Sequence, residues 1–378
     1  MAGRHVVVMP EWYPAPHEPL SAAFVRDQVL AIARDSDVTV LAPPSRDAPL
    51  EVVDEGVRVL RPVPHGPRGR LSRLWRLRWL DRTVGQLAAD GHRADILHAH
   101  VFSAGLLAVL VGRRRRLPVV VTEHLSDILE GRVFGWDATV ARFTYSHAGL
   151  VCPVSGFLAS AVLALEPRAN CLVVNNVVDI EMFATIGRRK RQCPGRRLLF
   201  VGRLVRKKGV HDLIAAVRLL VDDDSSLSLD VIGDGPERGR LEAEANGLPI
   251  RFLGSRPRLE VASEMHRADV LVVPSHVETF GITAIEGLAA GLPVVTTSGV
   301  ATSSTVAEFG GRIVPPGDPQ ELATALAWAV RQPWQPVPAV ELESRFGAGA
   351  VATTWESIYS ALGHPSQGTT RRDDGPRE

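Results

Sequence analysis

Short apolar runs alternate with longer amphipathic segments along most of the chain. The apolar residues Val6 to Met9 are followed by a Pro-rich loop, a helical pattern over 21–33 and a second apolar run over 37–41. Short apolar runs bounded by turn residues are typical of buried parallel strands, and segments with a period of 3.6 residues predict helices between them. The pattern therefore predicts an α/β chain with doubly wound parallel sheets.

The alternation of strand and helix patterns forms two series, and one segment separates them. Residues 185–197 are polar and basic and contain Pro-Gly, and a new series of strands follows them. We predict a first domain over 1–184, a linker over 185–197, a second domain over 198–345 and a terminal helix over 346–362. Residues 363–378 lack large apolar side chains, which predicts a disordered tail.

Composition narrows the class of protein. The 378 residues suffice for two domains with complete cores. Lys and Arg number 43 against 42 acidic residues, so the basic excess of nucleic-acid-binding proteins is absent and no nucleic-acid partner is expected. The spacing of Cys152, Cys171 and Cys193 fits neither a zinc site nor a disulfide framework. Without a secretory signal or a bilayer-spanning apolar stretch, the sequence predicts a cytoplasmic protein.

One segment of the second domain combines a buried strand with a nearly uncharged helix. The apolar run 269–273 predicts the strand, and the pattern over 280–290 predicts the helix, with Thr279 as its N-cap. Glu286 is the only charged residue within that helix. A carboxylate among apolar neighbours is costly unless a partner satisfies it. Sugar hydroxyls, which donate hydrogen bonds to carboxylates, would be suitable partners.

The start of this helix predicts an anion site. The N–H groups of Phe280, Gly281 and Ile282 lie at the positive end of the helix and have no partner within it. Such an arrangement suits an anion like a diphosphate. Glu278, just before the helix, is interpreted either as a surface residue or as part of this site.

Two cations are predicted to lie close to the anion site. Arg203 and Lys208 follow a strand that ends at Gly202 and precede a helix. A solvated basic loop is one interpretation; the other is a pair of cations that offsets the charge of a leaving diphosphate. Further loops, at Gly233 and at 254–256, follow the next two strands and belong to the same edge of the sheet.

Two strands of the first domain end in histidines. The run 95–100 ends with His98 and His100, and the run 118–124 ends with His124. Ligands bind at the carboxyl edge of a doubly wound sheet, so these side chains face the expected cleft. A lone histidine at such an edge is more often structural than catalytic, so position alone leaves the role of His124 open. We interpret His98 and His100 as structural, with His100 the better candidate for an acceptor site.

Together these segments resemble a known family. Glu278-Thr-Phe-Gly, Glu286-Gly and the following Gly-Leu-Pro-Val-Val resemble the donor-binding motif of retaining glycosyltransferases of family 4. Those enzymes have the GT-B fold, in which two Rossmann-like domains face each other across a cleft. The segment from Gly202 to Gly209 resembles the family's G-R-L…K-G, and Trp12-Tyr13-Pro resembles the opening of a family variant. The resemblance implies that the terminal helix crosses back to the first domain.

The resemblance also implies roles for individual residues. Arg203 and Lys208 would grip the diphosphate. Glu278 would hold the sugar, Glu286 would hold the ribose, and His124 would approach the reaction centre. The other donor-binding residues would be Gly202, Gly233, Gly254, Ser255, Arg256, Phe280, Gly281 and Ile282. The acceptor side would comprise Trp12, Tyr13, Ser21, Ala22 and His100.

The implied reaction is the transfer of a glycosyl group with retention of the anomeric configuration. The donor would be a UDP- or GDP-linked sugar, and the acceptor a hydroxyl of a glycan, a lipid-linked molecule or a small molecule. The departing diphosphate can take the acceptor's proton, so no cofactor and no metal are expected. Asp222 to Asp224 are interpreted as a solvated turn. The basic and aromatic segment 62–82 predicts a solvated helix, with peripheral contact to the inner membrane surface as the alternative.

Two other functions stay open. A GT-B sugar-nucleotide epimerase uses the same fold, and turnover of the donor without an acceptor would identify it. A binding protein that has lost catalysis is the second alternative, because Ser21-Ala22-Ala23 stands where the family often has glycine. Tight nucleotide binding without transfer would favour that alternative.

Overall fold

The computed structural model describes residues 4–16, 22–64, 70–185, 196–221 and 226–363. Strands and helices alternate along nearly all of it. The strands are β1 (His5–Pro10), β2 (Asp37–Leu41), β3 (Glu51–Asp54), β4 (Val57–Leu60), β5 (Ile96–His100), β6 (Val119–Glu123), β7 (Leu150–Pro153), β8 (Arg196–Val201), β9 (Leu227–Ile232), β10 (Ile250–Gly254), β11 (Val270–Val273), β12 (Val294–Thr297) and β13 (Arg312–Val314).

Helices lie between most successive strands, the last three helices follow β13, and one short 3₁₀ turn covers Arg206–Lys208. They are α1 (Ala23–Ile32), α2 (Arg70–Ala89), α3 (Phe102–Arg115), α4 (Ser126–Leu129), α5 (Gly135–His147), α6 (Gly156–Leu165), α7 (Ile180–Thr185), α8 (Val210–Leu220), α9 (Arg238–Glu244), α10 (Arg258–Arg267), α11 (Ile282–Ala289), α12 (Ser303–Glu308), α13 (Pro319–Ala329), α14 (Ala339–Phe346) and α15 (Ala348–Gly363).

Within the described residues, the strands form two sheets. The first has the order β3-β4-β2-β1-β5-β6-β7, and the second has the order β10-β9-β8-β11-β12-β13. The pairings are parallel except for the antiparallel hairpin of β3 and β4. The central strands are buried along their whole length, which explains their continuous apolar sequences. This confirms the predicted class of two doubly wound α/β units.

The helix α15 completes the core of the first sheet although it follows the second sheet in sequence. Its Trp355 and Tyr359 are buried in one apolar cluster with residues of β1 and α1. The Tyr359 hydroxyl shares a hydrogen bond of 2.7 Å with Nδ1 of His98, and Arg4 pairs with Glu356 at 2.5 Å. The C-terminal helix is therefore structurally part of the first domain.

Several local predictions need correction. The apolar residues 171–174 also predict a strand of the first domain, but the structure has only a single bridge there, between Val151 and Cys171. The helix predicted over 280–290 begins at Ile282, and its N-cap is Gly281 instead of Thr279.

Other predictions lie partly outside the described residues. These include Ser21, most of the linker (186–195), Asp222 to Asp224 and most of the tail (364–378). The domain boundaries stay predictions. Among the helices that the structure describes, none has the length and hydropathy needed to cross a membrane.

Candidate active site

A cavity of about 300 Å³ lies between the two domains and brings several predicted site residues together. Four of its lining residues come from the first domain: Phe24, His124, Ser126 and Asn176. The second domain contributes Lys207, Lys208 and the continuous segment 277–283. Residues from both halves of the chain thus surround one volume, as expected for a site between GT-B domains.

The N-terminus of α11 opens onto this cavity. Gly281 has φ +97°, and a Cβ at this position would lie 2.6 Å from Val300 Cγ1 and 2.9 Å from Thr302 Oγ1. Only glycine fits both the backbone conformation and the available space. The first N–H groups of α11, at Ile282 and Thr283, have no partner within the helix and lie at its positive end. The unpaired N–H groups of the helix therefore begin two residues later than the sequence predicted.

Lys208 lies against residues 274–281, the loop between β11 and α11, which we call the motif loop. Its Nζ donates to the carboxylate of Glu278, and the His276 N–H donates to the Lys207 carbonyl at 2.8 Å. The next residue, Gly209, has φ +68°, and its Cβ would lie 2.0 Å from the Pro274 carbonyl oxygen. This close backbone contact, which only glycine allows, fixes the basic turn beside the motif loop.

Lys207 makes a bridge between domains that the sequence did not reveal. Its Nζ donates to Ser126 Oγ at 2.5 Å and to Glu130 at 3.1 Å, the first residue of α4 and the residue just after its end. Burial lowers the pKa of Lys207. Its partners lie 81 and 77 positions away in sequence, so only the fold could identify the contact.

Glu286 lies in the buried interior of α11. Its carboxylate is 3.8 Å from Arg258, which in turn donates to Asp27 of α1 at 3.0 Å. Burial raises the pKa of Glu286 to about 7, and Arg258 counteracts this effect only in part. Glu286 is not among the described residues that line the cavity, so a ligand would have to extend beyond it to reach this carboxylate.

The first domain contributes a chain of three buried histidines. His124 Nε2 lies 3.0 Å from His100 Nδ1, and their rings are nearly parallel. His98 stacks on His100 and bonds to Thr122 Oγ1 at 2.6 Å. Burial lowers the pKa of His100 to about 3 and lowers those of His98 and His124 well below the usual value. All three imidazoles are therefore neutral near pH 7.

His124 is the member of this chain that reaches the cavity. In the described residues its Nδ1 and the Nε2 of His100 are buried without a hydrogen-bond partner. Unpaired buried polar atoms are uncommon and call for an explanation, such as a ligand. His100 itself lies behind His124, whereas His98 is fully bonded and structural.

The other predicted donor residues lie at the carboxyl edge of the second sheet. The Gly202 N–H donates to the Ile232 carbonyl at 3.0 Å, and the Gly233 N–H donates to the Gly254 carbonyl at 2.9 Å. The three loops therefore form one surface. Arg203, Ser255 and Arg256 are exposed on these loops, and none of them lines the described cavity between the domains.

The loop after β1 carries two aromatic residues that differ in exposure. Trp12 is 40% exposed, whereas Tyr13 is buried under the guanidinium of Arg61. Ala22 has φ +53°, so a non-glycine residue adopts the left-handed conformation just before α1. Ser21 lies outside the described residues, and the acceptor-side assignments stay predictions.

One group of described residues could hold a metal ion. His211, Asp212 and His276 place one ligand atom each within 4.8 Å of the others. His276 Nε2 already shares a hydrogen bond of 2.5 Å with Asp212. This hydrogen bond accounts for the closeness of His276 and Asp212.

Comparison with known proteins agrees with this architecture. The family model for glycosyl transferases group 1 matches residues 189–350, and the model for the glycosyl transferase 4-like domain matches residues 21–176. A D-inositol 3-phosphate glycosyltransferase of Frankia alni is 31% identical over 364 residues, 86% of each chain. A glycogen synthase of Mycobacterium tuberculosis is 31% identical over 220 residues, which span 54% of this chain and only 52% of that protein.

Solved structures share the fold. HepE from Anabaena, crystallised with UDP and glucose, superimposes with a TM-score of 0.74 at 20% identity, covering 95% of this chain and 100% of that chain. The structural neighbours are GT-B glycosyltransferases, and this chain likewise has two Rossmann-like α/β domains with parallel sheets. The chain therefore belongs to glycosyltransferase family 4 and has the GT-B fold.

Proposed function

We propose that this protein transfers a sugar from a nucleotide-diphosphate sugar to a hydroxyl of an acceptor, with retention of the anomeric configuration. The observation that carries the proposal is the shared cavity, in which Lys208 and the α11 N-terminus face His124 across the domain boundary. A cation and a helix N-terminus suit a diphosphate, and a neutral imidazole suits the uncharged sugar next to it. UDP and GDP are the proposed nucleotides.

The second domain would hold the donor. Lys208 and the exposed Arg203 would neutralise the diphosphate, while Glu278 would accept hydrogen bonds from the sugar. Glu286 would accept hydrogen bonds from the ribose hydroxyls, which gives its buried carboxylate the partner that its environment requires. The loops at Gly202, Gly233 and Gly254 to Arg256 would surround the rest of the nucleotide.

The chemical step would rely on charge stabilisation. As the bond to the diphosphate breaks, negative charge grows on the leaving oxygen, and Lys208 is placed to stabilise it. That same oxygen can take the proton of the attacking hydroxyl, so no side chain needs to be a strong base. His124 would bind the sugar through a neutral ring nitrogen. The proposal requires neither a metal nor a cofactor.

Support for the donor class also comes from the comparisons. The Anabaena structure contains UDP and glucose, and the Frankia relative is named a D-inositol 3-phosphate glycosyltransferase. A glycan, a lipid-linked molecule or a small molecule is compatible as acceptor here. The epimerase and the inactive binding protein are the competing functions, and the presence of Lys208 beside the α11 N-terminus favours transfer over loss of activity.

Thermal unfolding with added nucleotides tests the proposal. We expect one of UDP, GDP, ADP or dTDP to raise the melting temperature, because a ligand that binds only the folded state stabilises it. The Lys208→Ala variant should lose most of this shift, and Arg331→Ala, an exposed control in the second domain, should keep it. The absence of a shift with every nucleotide and its common sugar conjugates would contradict the donor site.

Turnover assays with and without an acceptor distinguish the competing functions from sugar transfer. Product formed from the donor alone, with inversion at a sugar carbon, would indicate an epimerase. A large melting shift without transfer to any acceptor class would indicate a binding protein. Transfer to an added acceptor, with the new linkage retaining the donor's configuration, is the result that we expect.

A further inference from the structure

Three side chains of metal-binding type converge beside the start of α8. His211 and Asp212 belong to the first turn of that helix, and His276 lies in the motif loop, 64 positions from Asp212. One ligand atom of each residue lies within 4.8 Å of the other two. Two imidazoles and one carboxylate form a donor set that suits zinc and neighbouring transition metals. We call these three residues the His-Asp-His cluster.

The hydrogen bond between His276 and Asp212 does not account for the whole cluster. It joins His276 Nε2 to one carboxylate oxygen, Oδ2. The other carboxylate oxygen, Oδ1, lies 3.3 Å from Nε2 of His211. The two imidazole rings have centroids 5.4 Å apart and planes at 64° to each other. Two rings therefore approach a single carboxylate from different directions, as they do around a metal ion.

The spacing of the ligand atoms fits a tetrahedral ion. With metal–ligand distances of about 2.0–2.1 Å, neighbouring ligand atoms of a tetrahedral zinc ion lie about 3.3 Å apart. His211 and Asp212 already have this separation of 3.3 Å. The hydrogen bond of 2.5 Å between His276 and Asp212 would lengthen by less than about 1 Å to reach it. An ion that replaces the proton of this hydrogen bond needs only small movements of side chains.

The surrounding structure holds the cluster in place and leaves it partly open. The side chain of Asp212 is 11% exposed, whereas those of His211 and His276 are 22% and 34% exposed. This exposure allows an ion to enter and leaves room for water as a fourth ligand, as in zinc sites with three protein ligands. The backbone of His276 is fixed, because its N–H donates to Lys207 and a Cβ on Gly299 would lie 2.0 Å from its carbonyl oxygen.

The charges near the cluster do not oppose a cation. Arg206 and Glu244 both act on His211, and their charges are of opposite sign. The two lysines of the adjoining basic turn each donate to a glutamate carboxylate instead. With neutral imidazoles, the carboxylate of Asp212 therefore gives the cluster a net negative charge, which favours a divalent cation.

We propose that His211, Asp212 and His276 bind one divalent transition-metal ion, with Zn²⁺ as the expected metal and water as its fourth ligand. The ion would link the start of α8 to the motif loop. Lys208 precedes His211 by three residues, and Glu278 follows His276 by two. The ion takes no part in the chemical step. The corollary, that it orders the donor site, rests on the proposed glycosyltransferase function.

Zinc binding by the full chain, prepared without a histidine tag and freed of metal with a chelator, tests the site. Calorimetric titration of the wild type should show one Zn²⁺ per chain. Mg²⁺ and Ca²⁺ should not bind comparably, because both prefer oxygen ligands. Co²⁺ in place of Zn²⁺ should give the visible absorption of a tetrahedral site. Absence of zinc binding by the wild type would overturn the proposal.

Variants locate the site. His211→Ala and His276→Ala should each weaken zinc binding at least about tenfold, since each removes one of three protein ligands. Asp212→Asn should weaken it similarly, although its amide can still hydrogen-bond to the imidazole, which separates metal binding from a contact that only stabilises the fold.

The matched control is His92→Ala. His92 is an exposed histidine 3.8 Å from the carboxylate of Asp37, and among the described residues it belongs to no group of three metal-binding side chains. This variant should bind zinc as the wild type does. Equal losses in His92→Ala and in the cluster variants would assign the ion to surface histidines in general and refute the site.

Nucleotide binding is measured on the same proteins, with zinc and with chelator. A nucleotide-induced melting shift that is larger with zinc in the wild type, but not in His276→Ala, would support ordering of the donor site. Equal shifts in the wild type would contradict that corollary and leave the metal site established. Zinc binding by a protein that shows no nucleotide shift in either condition would establish the metal site and contradict the proposed function.

Discussion

The two sides of the interdomain cavity differ in charge. On the second-domain side, Lys208 and Glu278 are charged, paired and held in place by tight glycine turns. On the first-domain side, His124 and His100 are buried, stacked and neutral, with pKa values lowered by burial. The difference indicates a division of labour. In the proposed reaction, one side would stabilise the charge that develops on the diphosphate, and the other would contact the uncharged sugar without adding charge.

The largest expected effect tests the charged side. Lys208→Ala should lower kcat for sugar transfer by about 10²–10³-fold, the usual cost of removing one group that stabilises developing charge. Lys208→Arg should recover part of the rate, because it keeps the charge but not the geometry. Steady-state kinetics with the donor identified by thermal shift measures both. A rate for Lys208→Ala near that of wild type would show that the charge comes from elsewhere, with Arg203 the remaining candidate.

A substitution in a glycine turn of the second domain should have a nearly comparable effect, but on the stability of the fold and not on the rate of transfer. Gly233 has φ +139°, and a Cβ there would lie 1.9 Å from the Gly202 carbonyl oxygen. We expect Gly233→Ala to lower the free energy of unfolding by about 2–4 kcal/mol, the range for overpacking combined with backbone strain. The control is Gly239→Ala in α9, where a Cβ meets nothing within 4 Å and helix propensity should add about 1 kcal/mol. Urea denaturation of both variants measures the contrast.

The free energy of unfolding should depend on pH through Glu286 of the second domain. The pKa of Glu286 is raised from 4.5 to about 7. The folded state therefore keeps a proton that the unfolded state loses, and the free energy of unfolding falls as pH rises from 4.5 to 7. Glu286→Gln should remove this fall, which makes the variant more stable at pH 8 by up to about 3 kcal/mol. Thermal unfolding across this pH range checks the sign; a greater loss of stability in the variant would contradict it.

In the proposed donor complex the ribose hydroxyls would donate to the ionised Glu286 carboxylate, so nucleotide affinity should rise from pH 6 to pH 8 in the wild type. Glu286→Gln should flatten this rise, and Glu286→Ala should lose most transfer while keeping the fold. Calorimetric titration with the preferred nucleotide measures the affinity at each pH.

The smallest expected effect concerns the first-domain side of the cavity, where the histidines are neutral. His124→Ala should lower transfer by about tenfold through loss of a hydrogen bond to the sugar. It should leave the shape of the pH profile between 6 and 8 unchanged, because burial lowers the pKa of His124 well below its usual value. A pH–rate profile of the variant tests this. A profile that changes shape on this substitution would mean that His124 gains a proton during the reaction.

The sequence predicted the second-domain side better than the first. Motif residues there are close in sequence, so strand, turn and helix patterns were enough to place Glu278, Gly281 and Glu286 on one structural unit. The error in the helix start arose because Gly281, in the left-handed conformation, replaces a side-chain N-cap. The identity of the glycine was visible, but its conformation depends on contacts with Val300 and Thr302.

On the first-domain side, the informative contacts are long-range. The strand ends predicted that His100 and His124 would share an edge, but not that their rings would stack 5.3 Å apart. The bridge of Lys207 to α4 depends on how the domains close. Val101, a β-branched residue with φ +71°, directs the chain from His100 into α3, and no sequence pattern marks that turn.

The contact of α15 with the first sheet has a consequence for synthesis of the protein. Trp355 and Tyr359 fill the core beside β1, more than 340 residues downstream of it, and Tyr359 also bonds to His98 across a separation of 261 residues. Domains generally fold in the order in which they leave the ribosome. Here the first domain emerges first but lacks its closing helix until after the second domain has been made. The nascent first half must therefore wait with an open apolar face, which makes it the part of the chain that chaperones would engage during translation.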